Sequence, residues 1–234
     1  MTLIVGLFCT DALLFCSDHE EQTGIIGKRS VAKLYQTSTK YWSMLIATAG
    51  HSALCDVAWR QIQEAAKQSG ARFISDHQTI IGDVLAKLYE KYIFNKLIPE
   101  SKQHNRKISL IIGICSQQPG EQFLYKTDDE ILHPHDHYAC AGYGEDIAQY
   151  FLDRLYDHNL CEGEASTLMR FIIREAKASV QTVGGTTEMA AIHRSGGLGA
   201  SIYGVTADEK EIPWLWDCVK PFWKYNTGQS EEHK

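Results

Sequence analysis

Apolar side chains alternate from residue 3 onward. Leu3, Val5 and Leu7 fall on one face of an extended chain, and Ile4, Gly6 and Phe8 fall on the other. Both faces are apolar, which predicts a strand over residues 2–9 that is covered on both sides. Thr10 and Asp11 supply turn chemistry, and residues 13–17 predict the returning strand, which ends at Asp18. Residues 19–30 are polar, contain glycine and read as a connecting stretch. Residues 31–36 and 42–48 predict a second strand pair, so the chain opens with two hairpins.

The period then lengthens. Residues 52–68 carry a helical pattern that stops at Ser69 and Gly70. Over 78–97 the residues Ile81, Val84, Leu85, Leu88, Tyr92 and Ile93 form a stripe at helical spacing. The segment "ISLIIGIC" (108–115) returns to strand, "SQQPGEQ" is a turn, and "FLYKTDDE" predicts a strand pairing back across it. Residues 133–140 read as continuing extended. Two more helices are predicted, over about 145–158 and 163–179; the second carries Leu168, Ile172 and Ala176 on one face. After Gly184 and Gly185 come strands near 188–193 and 200–205, then a tail with Trp214, Trp216 and Trp223, read as burying that tail against the body or a neighbour.

Strands and helices are grouped rather than alternating, which argues α+β over a doubly wound parallel sheet. Strands apolar on both faces need cover on both sides. Two sheets packed together, each with a helix pair outside, supply it. The expected architecture is a four-layer α/β/β/α sandwich, with residues 1–234 forming one domain. No internal repeat, low-complexity segment or domain-sized linker interrupts the chain.

Composition narrows the function. Hydrophobic residues make up 44% and charged residues 22%, enough for a sizeable core. The net charge of −6 is spread over interspersed signs, against a nucleic-acid surface with its basic stripes. The seven cysteines (9, 16, 55, 115, 140, 161 and 218) are odd in number and no pair has CxxC spacing. Neither a zinc knuckle nor a disulfide framework is signalled, and a reducing cytoplasm is expected. The run Leu3–Phe8 is short for a signal-peptide core and lacks a basic lead-in. No stretch approaches the roughly 20 apolar residues that span a bilayer.

Thr2 is the first candidate for chemistry. Removal of Met1 would leave a hydroxyl and a free amine on neighbouring carbons, a nucleophile and its base in one residue. An α-amine titrates near ~7.7–8.0, so it is partly neutral at cellular pH. The plainer reading is a polar residue at a frayed strand start. Val31, Lys33 and Tyr35 are expected to share a strand face, so Lys33 points where a valine does, unlike an ordinary surface lysine. The run "HPHDHY" would place His133, His135 and His137 on one strand face with Asp136 opposite. Alternating histidines can bind metal, but a histidine-rich edge strand, kept from regular pairing by Pro134, is favoured. No metal and no cofactor is expected.

Several segments carry a resemblance. The strand-initial threonine, "CSD" ending the second strand, "SVAKL" on the third and "ATAG" ending the fourth resemble proteasome β-subunits and the HslV-type bacterial peptidases. "CAGYGEDIAQYFLDRL" is similar to that family's Gly-Ser-Gly turn and helix, and "EGEASTLMRFIIREAKASVQTVGG" to the helix and Gly-Gly turn that follow. The resemblance spans roughly residues 2–195 and implies an N-terminal-nucleophile hydrolase, a bacterial proteasome-like homologue with the four-layer sandwich as its fold. It implies Thr2 as nucleophile, Lys33 as its electrostatic partner, Asp18 as the acid holding that lysine, and Gly50 as backbone donor to the oxyanion. Such a donor contributes ~2.7–4 kcal/mol in a transition state. It also implies that Glu21, Val31, Thr48 and Ser52 line the first substrate pocket, a modest one with an acidic rim, suited to small or basic side chains. Asp18 and Lys33 lie one residue closer than in proteasomes, implying a shortened loop.

Where the family has a serine, an aspartate and a second serine around the terminal amine, this chain has Tyr143, Val180 and Val183. The resemblance implies stacked homo-oligomeric rings that hide the nucleophile, with helix 78–97 as a ring contact. The implied partners are peptide or unfolded-protein substrates and an ATP-dependent unfoldase. A small-molecule amidase and a non-catalytic ring subunit are the competing expectations.

Overall fold

The computed structural model describes residues 2–23, 27–70, 74–94, 107–116, 121–193 and 200–205. Twelve strands and four helices are found among them: β1 (Leu3–Phe8), β2 (Ala12–Asp18), β3 (Glu20–Thr23), β4 (Gly27–Ser30), β5 (Leu34–Ser38), β6 (Trp42–Gly50), α1 (Ser52–Gln68), α2 (Ile74–Tyr92), β7 (Ile108–Ser116), β8 (Gln122–Asp128), β9 (Ile131–His135), β10 (Tyr138–Gly142), α3 (Glu145–Leu155), α4 (Glu162–Ser179), β11 (Thr187–His193) and β12 (Ala200–Val205).

Two five-stranded antiparallel sheets form the centre. The first runs β10-β1-β2-β11-β12 and the second β5-β6-β7-β8-β9. The alternation in β1 sorts its side chains as the pleat requires. Leu3, Val5 and Leu7 pack with Leu168, Phe171, Ile172 and Ala176 of α4 and with Ala148 and Leu152 of α3. Ile4 faces the other way, into a layer shared by Leu13, Phe15, Ala190 and Ile192 of its own sheet and Leu45, Ala47, Ile111 and Leu124 of the second. The outer face of the second sheet, including Met44, Ile46, Leu110 and Ile112, is covered by Ala58 and Ile62 of α1 and by Ile81, Leu85 and Leu88 of α2. The layers are therefore helices, sheet, sheet, helices, as expected. The entry to α4 is set locally: the Glu164 side chain accepts the Cys161 backbone N–H at 2.9 Å, half of a capping box.

The structure differs from the sequence-based expectations in four places. Residues 19–30, read as a connector, contain the β3–β4 hairpin, a two-stranded sheet of its own. Its run of charged and polar residues hid it, because a ribbon outside the main sheets needs no apolar alternation. The third main strand starts at Leu34 rather than Val31. Residues 31–33 leave the regular ladder, Val31 N–H reaching the His19 carbonyl at 2.8 Å and the Lys33 carbonyl accepting from Thr48 N–H at 2.9 Å. Helix α2 begins at Ile74 and ends at Tyr92, earlier at both ends than expected. Residues 133–140 are not one extended run: β9 pairs with β8 in the second sheet and β10 with β1 in the first. The chain crosses between sheets at Asp136 and His137, whose carbonyl accepts the Phe8 N–H at 2.9 Å. His137 thus leaves the strand that carries His133 and His135, and the alternating trio does not share one face. The helical stretch expected over 95–97 and the tryptophans of the tail lie outside the described residues. Among the described residues, no helix is long and apolar enough to cross a membrane.

Candidate active site

Four elements bring the site together. Thr2 leads into β1, Asp18 closes β2, Lys33 precedes β5 and Gly50 closes β6. Strands β1 and β2 are antiparallel neighbours with Ile4 opposite Ser17, so their register carries Thr2 to Asp18. All of Thr2, Asp18 and Lys33 are buried.

Asp18 is the hub. Its Oδ1 accepts three donors: the Thr2 hydroxyl, the Leu3 N–H at 2.9 Å and the Lys33 ammonium at 2.8 Å. Its Oδ2 accepts the Gly184 N–H at 3.0 Å and the Glu20 N–H at 3.3 Å. A carboxylate with no exposed surface needs such a donor set to offset its loss of water. Lys33 donates a second bond, to the Glu20 carbonyl at 2.7 Å. Burial pushes its pKa below the ordinary lysine value, and Asp18 pulls the other way. Lys33 is buried as expected, but not because it shares a strand face with Val31; the chain departs from the ladder there and delivers it to Asp18.

A cleft of about 340 Å³, including the part open to solvent, lies against Thr2. Glu21, Val31, Thr48 and Ser52, the four residues assigned to a pocket by resemblance, all line it, together with Lys33 and Gly50. Tyr35, Cys55 and Asp56 also line it, and the sequence had not pointed to them. The Tyr35 hydroxyl donates to Asp56 at 3.0 Å, and its ring stacks on Trp59. Burial pushes the Cys55 thiol up to about 12, so it stays neutral. Burial raises the pKa of Glu21, but bonds from Arg29 and Ser52 outweigh it and hold the carboxyl below its ordinary value. The Arg29–Glu21 pair spans β4 and β3.

Two glycines matter here: Gly50 lines the cleft and Gly142 lies against the Thr2 carbonyl. Gly50 has φ +111°, and a Cβ there would lie 2.3 Å from the Lys107 carbonyl oxygen. Gly142 has φ +105°, and a Cβ there would lie 2.2 Å from the Thr2 carbonyl oxygen. Only glycine takes this backbone conformation without strain. The signal for Gly142 was present in "CAGYG", but nothing in the spacing alone says that the turn touches Thr2. Gly184, seen in the sequence only as part of a turn, is one of the donors to Asp18.

Of the three departures, Tyr143 is 65% exposed, Val183 is buried, and Val180 packs against the same apolar cluster as Leu3. The histidine run lies elsewhere: His135 and His137 line a cleft with Phe8, at the other end of β1. Among the described residues, no group of three or more His, Cys, Asp or Glu is placed to hold a metal.

A model of the proteasome subunit family matches residues 2–192. The chain belongs to the proteasome subunit family. Solved structures similar over nearly the whole chain include Anbu proteins, and their low identity makes the likeness one of fold. A mutant of Anbu from Hyphomicrobium sp. strain MC1 has a TM-score of 0.77 at 16% identity, covering 100% of both chains. Anbu from Yersinia bercovieri, described as an ancestral β-subunit, has a TM-score of 0.75 at 14% identity, covering 99% of each chain. Anbu from Pseudomonas aeruginosa, described as a helical assembly, has a TM-score of 0.76 at 16% identity, covering 99% of this chain and 98% of that one. Comparison with curated proteins finds no match. Within the proteasome subunit family fold, Thr2, Asp18, Lys33 and Gly50 stand at the mouth of one cleft or directly behind it.

Proposed function

We propose that the chain is the threonine-type peptidase subunit of a self-assembling complex. The observation that carries this reading is the shared use of Asp18 Oδ1 by the Thr2 hydroxyl and the Lys33 ammonium, at the edge of a cleft. With Met1 attached, the Thr2 nitrogen is an amide and cannot act as a base, so the hydroxyl donates to Asp18. Removal of Met1 turns that nitrogen into an amine. The amine takes the hydroxyl proton as Thr2 Oγ attacks the scissile carbonyl carbon. The buried Lys33 charge favours the neutral amine and the developing alkoxide. The Gly50 N–H is the donor for the oxyanion. The protonated amine then passes its proton to the leaving nitrogen, and water hydrolyses the resulting ester with the amine again as base.

The cleft adds a preference. Glu21 and Asp56 are its two carboxylates outside the Asp18–Lys33 pair, and Thr48 narrows it, so small or basic side chains before the cut suit it. The substrates are peptides or unfolded segments, and residues 1–234 act as one cytoplasmic domain. The helical assembly described for the Pseudomonas aeruginosa Anbu complex supports self-association; closed rings with an ATP-dependent unfoldase remain the family-based form of that proposal. Head-to-tail contacts close into rings or continue as helices according to their rotation.

One observation favours a second reading. Val183 is buried and apolar and Tyr143 is mostly exposed, where the family supplies hydroxyls near the amine, which suits a non-catalytic assembly subunit. An amidase on the same fold differs from the peptidase only in substrate profile. Intact mass decides first: loss of one methionine exposes the nucleophile, whereas a stable Met1 supports the non-catalytic subunit. The Thr2→Ala variant is then expected to lose cleavage of fluorogenic peptides while keeping its assembly. Persisting cleavage would rule Thr2 out.

A further inference from the structure

Asp18 takes one of its five donors from a backbone turn, and that turn is held by a side chain outside the cleft. The turn follows α4. His19 N–H bonds the Thr186 carbonyl and Glu20 N–H bonds the Gly184 carbonyl, each at 3.0 Å. Gly184 N–H then reaches Asp18 Oδ2. Of the side chains that begin this turn, Val180 and Val183 are apolar and the Thr182 hydroxyl makes no hydrogen bond among the described residues. The anchor is Lys177, on the last turn of α4. Its ammonium donates to the Gly185 carbonyl at 2.7 Å and to the Thr187 hydroxyl at 2.8 Å. Thr187 is buried and is the cross-strand partner of Asp18 between β11 and β2. One cation on α4 therefore ties down the stretch that immediately follows Gly184. Lys177 does not line the cleft.

We infer that Lys177 is a positioning residue for the proposed peptidase chemistry, acting through the Gly184–Asp18 bond on Lys33 and Thr2. The inference rests on the reading of Thr2 as nucleophile. Losing the clamp lets the turn relax and Gly184 withdraw from Oδ2. Asp18 Oδ2 then keeps only the longer Glu20 N–H bond at 3.3 Å, and the carboxylate can shift against Lys33 and Thr2, which share Oδ1. Misplacement of reacting groups by about an ångström can cost on the order of 100-fold in rate. A partial loosening through one backbone bond is expected to cost about tenfold. The bland alternative is a lysine that only complements the C-terminal end of the α4 dipole; that role affects stability and leaves kcat alone.

The test uses the full-length, processed and assembled protein with Lys177→Met and Lys177→Arg. The readouts are kcat and KM on a fluorogenic peptide, the rate of Thr2 acylation by a β-lactone, assembly and thermal midpoint. Lys177→Met is expected to lower kcat and the acylation rate about tenfold together, with KM within twofold, and Lys177→Arg to restore both to within about threefold. Parental kcat in Lys177→Met overturns the inference, as does a loss that the arginine variant does not recover. If Lys177→Met fails to assemble, Lys177→Gln, which keeps one donor, is read in its place with an expected loss of about threefold; parental kcat there overturns the inference equally. A parent protein that neither cleaves nor acylates sinks the proposed function and this inference with it. An active parent beside an unaffected variant sinks the inference alone.

Discussion

Strand β1 has a cleft at each end, and the larger one is not where the chemistry converges. At the Phe8 end the opening is about 1340 Å³, against about 340 Å³ at the Thr2 end, both including space open to solvent. The larger cleft is lined by His135, His137, His158 and His193. Each of the four has separate surroundings: His193 faces Glu162, His158 faces Asp157, His137 lies against the Tyr156 ring, and His135 sits near Lys126 and His133, which disfavour its charge. At the Thr2 end five donors meet on one buried carboxylate. Room and titratable side chains do not make a reactive site; shared, desolvated partners do, because only there does moving one proton change the energy of its neighbours.

The sharpest way to break this comparison is to remove one charge at each end. Asp18→Asn keeps the shape but leaves the Lys33 ammonium buried without its counter-charge. Breaking a buried pair in this way costs about 3–5 kcal/mol, and the same change removes the anchor of Thr2. Glu162→Gln breaks the half-exposed contact to His193, for which at most about 1 kcal/mol is expected. Denaturant unfolding of both variants measures the difference. Equal costs would mean that the Asp18 hub has no special energetic status.

A smaller but more local effect is expected at Gly142. Gly142→Ala forces a side chain at φ +105° to within 2.2 Å of the Thr2 carbonyl oxygen. Backbone strain of this kind costs roughly 1–3 kcal/mol. Because the atom struck belongs to Thr2, peptide cleavage is expected to fall at least tenfold, beyond what the stability loss explains. Cleavage assays at a temperature where the variant is fully folded separate the two.

The depressed lysine offers a test in pH. The folded protein holds Lys33 below its ordinary value of 10.5, so between the folded value and 10.5 the unfolded chain binds more protons. Stability from this residue therefore rises with pH across that window, by about 1.4 kcal/mol for each unit of depression. The unfolding free energy of the parent relative to Lys33→Met is expected to climb as pH is raised from 8 toward 10.5. A flat difference would show that Asp18 fully offsets the burial of the ammonium.

Much of this was legible before any coordinates. Strong alternation in β1 and β2 and the stripe in α2 are direct consequences of burial on defined faces, so the layers followed from them. Thr2 stood out for its hydroxyl beside a potential amine and Lys33 for its strand position, but Asp18, Gly50 and the grouping of all four were legible only through resemblance, since no local period distinguishes a hub carboxylate from a turn residue. The β3–β4 hairpin was not legible, because it buries no apolar stripe and its pairing rests on backbone bonds and charges. The same holds for Gly184 and Lys177. Gly184 donates through its backbone N–H, which almost every residue carries, and the Lys177 ammonium meets a backbone carbonyl and a hydroxyl, so only the three-dimensional register says which groups meet. The split of the histidine run was hidden for a related reason: one continuous extended segment and two strands in different sheets have the same period of two.

The far cleft yields the smallest effect, and its pH window lies elsewhere. Burial, reinforced by Lys126 and His133, lowers the pKa of His135 below its ordinary 6.5. The unfolded chain therefore binds more protons than the folded one below 6.5, and stability from this residue falls as pH drops from 6.5 through the folded value. His135→Gln removes that acid limb. Near neutral pH its effect on stability is expected to stay within about 0.5 kcal/mol, as for ordinary surface changes, and peptide cleavage is expected to match the parent. The decisive measurement is cleavage by His135→Gln with unfolding at pH 5 and pH 7.5. If the variant instead slowed cleavage at neutral pH without loss of stability, the two ends of β1 would be coupled, and the contrast between an inert cleft and a reactive one would have to be abandoned.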